Sequence, residues 1–298
     1  MPTIEASKKD LERLIGKKLN KRELEEMLMY AKAELDEIRG DMLKIDVKDT
    51  NRPDLWSIEG IAREIKGRLN KRGLPKYKVG RSKLKIFVDK KVFRIRPYIA
   101  ACIVKDIKVS EKLLVQIIQL QEKVAQTYGR KRKEAAIGIY DFGKLQAPLY
   151  YTAFKPKEKS FIPLDYKVEM TLDEILREHP KGKEYGFLLE GFERYPILMD
   201  CRGVVASMPP IINSQITGKV TEKTKIMLVE VTGYNWETVS TALNVMVTAL
   251  AERGAKLESV EIVFPNNEKK ITPELKPRKA KLRLEKLNEL SGLNLNVK

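Results

Sequence analysis

Histidine occurs once in these 298 residues and cysteine twice, and that scarcity removes several kinds of chemistry at the outset. Cys102 and Cys201 stand alone, in neither a disulfide framework nor a C-x-x-C pair, and with His179 they leave no ligand set for zinc. No Ser–His or Cys–His pairing suggests an activated nucleophile. Neither G-x-x-x-x-G-K-[ST] nor G-x-G-x-x-G occurs, so the usual backbone cradles for nucleotide phosphates are missing. No run nears the roughly 20 apolar residues needed to span a bilayer. The opening M-P-T-I-E-A-S-K-K-D lacks a signal peptide's apolar core, so the chain reads as soluble and cytoplasmic, with no membrane partner.

Positive charge is what the sequence has in excess. Lysine and arginine number 58 against 41 aspartates and glutamates, a net +17. Such an excess favours a polyanion such as RNA, or an anionic membrane surface, and does not by itself choose between them. A charged fraction of 33% over both signs is equally how heat-adapted proteins build surface ion-pair networks, so much of the lysine is expected on the solvated surface. The densest cluster is Arg130, Lys131, Arg132 and Lys133, placed after an amphipathic helix, where it suits either phosphate contact or the negative pole of that helix. Apolar content of 43% is enough for real cores, and the length suits two domains with a fragment of a third.

Residues 1–78 read as a small α/β domain. A helix capped by Ser7 turns Leu11, Leu14 and Ile15 inward. A second, from about Lys21, repeats Leu24, Leu28, Ala31 and Leu35 at helical spacing, after which Leu43, Ile45 and Val47 alternate as a half-buried strand should. A third helix takes Pro53 in its first turn, puts Leu55, Ile58, Ile61, Ala62 and Ile65 on one face, and closes at Gly67 and Gly73-Leu74-Pro75. Asp49, Asn51, Arg52 and Asp54 have the residue types of a catalytic cluster, yet Asn and Asp before proline are common turn formers, and the structural reading is preferred.

Residues 79–268 change to short strands, at Leu84 to Val88, Ile99 to Val104, Ala135 to Ile139, Leu149 to Ala153, Ile197 to Met199 and Ile226 to Val231. Three helices interrupt them, which makes a mixed α+β domain. The first, near Lys112 to Tyr128, carries Leu113, Leu114, Ile117, Ile118, Gln121 and Val124 on one side, a core face that needs no cofactor to explain it. The second opens on the Thr171-x-x-Glu174 capping box and ends near His179-Pro180, and the third spans Trp236 to Arg253. The stretch from Pro265 to Pro277 reads as a linker, and residues 269–298 as that linker with the start of a further domain. Lys279 to Leu290 is a charged helix whose packing partners are mostly missing, so the chain is expected to be truncated.

The most informative segment is V-A-S-M-P-P-I-I-N-S-Q-I-T, Val205 to Thr217. Pro209 and Pro210 fix two successive φ angles and stiffen the turn. Ser207, Asn213, Ser214 and Thr217 then set small polar groups beside Ile211 and Ile212, the composition of a pocket for a small, partly aromatic ligand. An ordinary structural turn is the alternative.

The passage M-P-P-I-I-N-S-x-x-T-G, the strand Ile226 to Val231 and N-V-M-V-T-A-L-A-E-R-G (Asn244 to Gly254) closely resemble the β subunit of phenylalanyl-tRNA synthetase of the archaeal and eukaryotic type. D-T-N-R-P-D-L-W-S-I-E-G-I-A-R-E-I (Asp49 to Ile65), E-A-A-I-G-I-Y-D-F (Glu134 to Phe142) and L-S-G-L-N-L (Leu290 to Leu295) extend the resemblance over nearly the whole chain. It implies a class II synthetase subunit that assembles with an α subunit as α2β2 and binds phenylalanine tRNA. Amino-acid activation, with ATP and magnesium, belongs to the complete enzyme, and no cofactor is expected in this fragment.

The resemblance also assigns the central domain an editing role, hydrolysis of phenylalanine tRNA mischarged with tyrosine. A pocket that demands a phenolic hydroxyl as hydrogen-bond partner rejects the ring that lacks one. Carried over by residue, Glu230 at the end of the strand L-V-E receives the phenol, Leu198 and Ser207 form the wall, and Asn213, Ser214 and Thr217 face the ester, with Asn213 and Thr217 positioning the water. Many archaeal relatives carry aspartate where this chain has Glu230, and bacterial ones glutamate, so the depth at which a phenol is met differs by a methylene. Bacterial relatives use a histidine near the ester, whereas His179 lies in a different segment, at a helix end. Without the resemblance, Glu230 reads as an edge carboxylate in a surface salt bridge. The competing function is a non-catalytic RNA-binding or subunit-assembly module.

Overall fold

The structure is a computed structural model that describes residues 2–48, 51–70, 75–277 and 279–296. Its first unit holds β1 (Thr3–Ser7), α1 (Lys8–Ile15), α2 (Lys21–Tyr30), β2 (Ala33–Arg39), β3 (Met42–Val47) and α3 (Ile58–Asn70). The strands form an antiparallel sheet in the order β1-β3-β2. Local chemistry sets the helix starts: Ser7 Oγ accepts from Asp10 N at 3.1 Å, and Asn20 and Glu23 exchange side-chain and backbone bonds as a capping box. The helical spacing read as far as Leu35 stops earlier. Lys32 takes φ 49°, a left-handed value that ends a right-handed helix, and Leu35 lies on β2. Pro53–Leu55 forms a separate 3₁₀ turn ahead of α3, which continues through Gly67 to Asn70. Asp54 accepts from Arg52 Nε at 2.9 Å and from Arg63 Nη2 at 2.8 Å, an ion cluster that braces the turn. Asp49, Gly73 and Leu74 lie outside the described residues.

The second and larger unit runs through β4 (Val79–Val88), β5 (Tyr98–Lys105), α4 (Glu111–Gln126), β6 (Ala135–Asp141), β7 (Leu149–Phe154), β8 (Ser160–Phe161) and β9 (Met170–Thr171). It continues with α5 (Leu172–Glu178), α6 (Pro180–Tyr185), β10 (Tyr195–Asp200), β11 (Val205–Met208), β12 (Ile212–Asn213), β13 (Ile226–Gly233), α7 (Trp236–Glu252), β14 (Lys256–Val263) and β15 (Lys269–Thr272). A last helix, α8 (Leu284–Ser291), follows, and none of its residues is buried. The fold is α+β. Among the described residues no helix is long and apolar enough to cross a membrane.

A ten-stranded sheet orders these elements as β12-β11-β10-β7-β4-β14-β5-β13-β6, with β15 joined to β14. The β4 pairings with β7 and β14 are parallel and the rest antiparallel. Because β15 extends the sheet to Thr272, the segment read as a linker contains a strand, and a boundary at residue 268 cuts a strand pair. Thr272 is buried, and its Oγ1 donates to Ala101 O at 2.7 Å.

Alternation along the central strands feeds two cores. On β5, Ala100, Cys102 and Val104 face the layer of α4 and α7, whereas Ile99, Ala101 and Ile103 face the core that includes Leu172 and Ile175 of α5. The apolar residues of the first unit belong to the same continuous core as the α4 and α7 layer. Arg253, at the end of α7, ties the two units further, with Nη2 on Asp10 at 2.8 Å and Nε on Glu59.

The sheet also curls until its two ends meet. β6 and β12 are the terminal strands, yet Asn213 Nδ2 reaches Ile139 O at 3.3 Å and Tyr140 Oη lies 2.8 Å from Ser207 Oγ. The gap left beside this seam is the candidate site.

Candidate functional site

Glu230 sits in the middle of β13, not at a strand end, and only 2% of it is exposed, which excludes the surface salt bridge. Its register partners are Gly138 on β6 and Ala101 on β5, two small residues that leave room for a carboxylate between strands. Tyr140 follows Gly138 by two positions on the same face, and its Oη lies 2.8 Å from Glu230 Oε1 and 2.8 Å from Ser207 Oγ. The phenol has one proton, so it donates to the carboxylate and accepts from the serine hydroxyl. Glu230 Oε2 is buried and, among the described residues, has no hydrogen-bond partner. Burial pushes the Glu230 carboxyl up to about 7, against the opposing pull of the Tyr140 hydrogen bond and the Arg96 charge. Burial, with the adjacent Glu230 charge, also holds the Tyr140 phenol well above its ordinary value.

The cavity outside this carboxylate measures about 410 Å³, within the roughly 300–1,000 Å³ of small-molecule sites. Gly138, Ser207, Pro210, Asn213 and Glu230 line it, as do Ile117, Ile118 and Gln121 of α4. The α4 face read as pure core is therefore divided: Leu113, Ile117, Leu120 and Val124 are buried, while Ile118 is 55% exposed at the cavity wall. Asn213 lines the cavity, and its Nδ2 donates to Ile139 O at 3.3 Å, which leaves its carboxamide oxygen uncommitted by that bond.

Of the residues assigned by resemblance, Glu230, Ser207 and Asn213 share this wall, and Leu198, Ser214 and Thr217 lie behind it. Leu198 is fully buried and pairs with Ser207 across β10 and β11. Ser214 Oγ accepts from Ile216 N at 3.2 Å, within the turn that bridges to Pro163. Thr217 is also fully buried, with Oγ1 3.4 Å from Val205 O and 3.3 Å from Ala206 O. Its hydroxyl is spent on backbone carbonyls, which corrects the expectation that it faces an ester.

His179 does reach the cavity wall, from the start of α6. Nδ1 accepts from Lys181 N at 3.1 Å, so the ring proton is on Nε2, 3.2 Å from Leu164 O. With both nitrogens committed, it caps a helix and does not serve as a base.

The basic cluster divides in the same way. Arg130, Lys131 and Lys133 are exposed, but Arg132 turns inward, donating from Nη1 to Ile211 O at 2.9 Å and from Nη2 to Glu122 at 3.1 Å. Its guanidinium also lies 4.0 Å from the Tyr185 ring centroid. Residues 130, 131 and 132 take φ of 47°, 54° and 67°, three left-handed values in a row that only a firm frame sustains. Arg96, which no motif singles out, is that frame. It is 1% exposed and donates to Lys133 O at 2.8 Å, Arg132 O at 3.0 Å and Thr232 Oγ1 at 2.9 Å. Tyr140 and Gly138 were missed as well, although a glycine two positions before a tyrosine in an apolar strand places both on one face.

Among the described residues no group of three His, Cys, Asp or Glu is placed to hold a metal ion. The site is a largely apolar cavity whose lining carries the buried Glu230 carboxylate and the carboxamides of Asn213 and Gln121, suited to a small ligand with a polar tip.

Comparison with known proteins adds the lineage. No family model matches the chain. It is 52% identical over 301 residues to the phenylalanine–tRNA ligase beta subunit of Pyrococcus horikoshii, covering 99% of this chain and 54% of that one. The corresponding subunit of Methanosphaera stadtmanae is 38% identical over 298 residues, with 100% and 53% covered. A crystal structure of an N-terminal fragment of the Pyrococcus horikoshii phenylalanyl-tRNA synthetase beta-subunit superposes with a TM-score of 0.95 at 51% identity, covering 99% of this chain and 86% of that one. The chain belongs to the phenylalanine–tRNA ligase β-subunit family and corresponds to its N-terminal part. It spans about half the length of the curated relatives it matches.

Proposed function

We propose that the cavity hydrolyses tyrosine from phenylalanine tRNA charged with the wrong amino acid. The observation that supports this most is Glu230 in the cavity lining, with its buried Oε2 lacking a hydrogen-bond partner among the described residues. A tyrosine side chain entering ring first brings a phenolic O–H to it, and a hydrogen bond to a charged group contributes about 1.5–3 kcal/mol. Phenylalanine leaves the oxygen unpaired. The same hydroxyl that a synthetic site discriminates against weakly is here required, which inverts the selection.

At the ester end, Asn213 Oδ1 holds the attacking water. Water oxygen adds to the acyl carbonyl, the bond to the ribose oxygen breaks, and that oxygen takes a proton delivered through the vicinal ribose hydroxyl. The aminoacyl ester is already activated, so orientation supplies much of the rate without a strong base. Thr217 serves as a brace for β11. Arg130, Lys131 and Lys133 contact the tRNA backbone. In the complete enzyme, cytoplasmic and assembled with an α subunit as α2β2, activation of phenylalanine with ATP and magnesium falls to the other subunit, and residues 79–268 with β15 form the editing unit.

The test is deacylation of tyrosyl-tRNA specific for phenylalanine by this chain. Asn213→Ala is expected to lose at least about 10-fold in rate, consistent with one lost orienting hydrogen bond. A parental rate in that variant refutes the role of Asn213, and an inert parent chain refutes editing in favour of a non-catalytic RNA-binding or assembly module.

A further inference from the structure

Glu230 already holds one phenol, supplied from within the chain. Tyr140 is fully buried, its Oη is 2.8 Å from Glu230 Oε1, and its position is held in turn by Ser207 Oγ at 2.8 Å. The backbone is shaped around this contact. A Cβ at Gly138 would stand 2.1 Å from Tyr140 Oη and 2.9 Å from Glu230 Oε1, so only glycine admits the pair. Resting on the editing reading, we propose that Tyr140 is a positioning residue: it reserves Oε1 of Glu230, fixes the pose in which Oε2 is left without a partner, and so sets how sharply the site separates a para-hydroxylated ring from a bare one.

The geometry excludes other groups from that task. A carboxylate with two free oxygens rotates between equivalent poses, and a bond on one oxygen selects a single pose for the other. Three groups with titratable or charged side chains act on Glu230: Tyr140 from β6, Arg96 from the turn before β5, and Tyr151 from β7. Arg96 spends its donors on Thr232, Arg132 and Lys133, and Tyr151 Oη donates to Arg96 O at 2.9 Å. Among the described residues Tyr140 is the one that hydrogen-bonds the carboxylate. Its hydrogen bond also lowers the Glu230 carboxyl from where burial alone would put it, keeping part of the population ionised near neutrality.

Two readouts on the purified chain separate the possibilities: the Glu230 midpoint by carboxyl ¹³C NMR, and the ratio of tyrosine to phenylalanine affinity from pH 6 to 9. In Tyr140→Phe the midpoint is expected to rise by about one pH unit and the ratio at pH 7.5 to fall about 10-fold, the worth of one charge-assisted bond. Ser207→Ala keeps the phenol but frees it, and should give smaller changes of the same sign. Parental values of both readouts in Tyr140→Phe overturn the proposal, as does an unchanged midpoint in Ser207→Ala should the first variant fail to fold. If the parent chain does not prefer tyrosine, the editing reading falls, while the midpoint still decides whether Tyr140 governs Glu230.

Discussion

Replacing Glu230 by glutamine should make the chain more stable at neutral pH, by an amount that depends on pH in a defined way. In the unfolded chain the carboxyl titrates near its ordinary 4.5, and in the fold near about 7, because burial penalises the charged form more than Tyr140 and Arg96 restore it. A group raised by folding contributes fully below its unfolded value and loses that contribution as pH climbs through the folded one. At 1.36 kcal/mol per pH unit, the gap corresponds to a cost of about 3 kcal/mol once Glu230 is ionised in the fold. Most of that cost accrues between pH 4.5 and 7. Glutamine has the same shape, still accepts from Tyr140, and does not titrate. The stability difference between Glu230→Gln and the parent should therefore grow by about 2 kcal/mol from pH 5 to pH 7.5 and then level off. Urea unfolding of both proteins across that range measures it, since the other titrating groups cancel in the difference. A difference that stays flat, or shrinks with rising pH, would falsify the claim that Glu230 is a strained buried acid.

Further expectations are more local. Thr217→Ala should cost about 1 kcal/mol in urea unfolding, the worth of a buried hydroxyl bond, and leave deacylation at the parental rate; a lost rate with intact stability would return Thr217 to the ester. Neutralising Arg130, Lys131 and Lys133 together should weaken RNA binding and flatten its salt slope by up to about 2–3, and an unchanged slope would remove phosphate contact from that turn. Arg132→Ala should instead lower stability by about 2 kcal/mol with the salt slope nearly intact, because its bonds run inward. Arg253→Met takes the guanidinium from buried Glu59 and leaves Asp10 with Arg13 alone, and should cost about 3–5 kcal/mol; a neutral result in thermal or urea unfolding would mean that the two units do not lean on that ion cluster.

What the sequence disclosed follows the range of the forces involved. Helix starts at Ser7, Asn20 and Thr171 depend on bonds three residues away, and the apolar faces of α1, α4 and α7 on spacing within a few turns. The end of α2 was hidden because a single left-handed Lys32 decides it, and lysine carries no preference for that conformation. β11 and β12 are too short to show a pattern. The site itself was harder to see, since Tyr140 and Ser207 are 67 positions apart and meet only because a ten-stranded sheet curls on itself. Likewise, Arg130 to Lys133 present four equivalent cations on paper, and only the left-handed turn braced by Arg96 sends one of them inside. Resemblance to a family brought Glu230, Ser207 and Asn213 into view, but it said nothing of which side chains hold them.

The core shared by the first unit and the α4 and α7 layer carries a mechanical consequence. A module joined to its neighbour by a bare tether can swivel, and a force on it dissipates in the tether. Here apolar side chains from both sides interlock, so a partner that grips the first seventy residues grips the frame on which α4 and the slot beside it are mounted. Excising those residues would strip the apolar cover from α7 and leave a sticky face, which makes the N-terminal segment a poor place to cut when a smaller folded unit is sought.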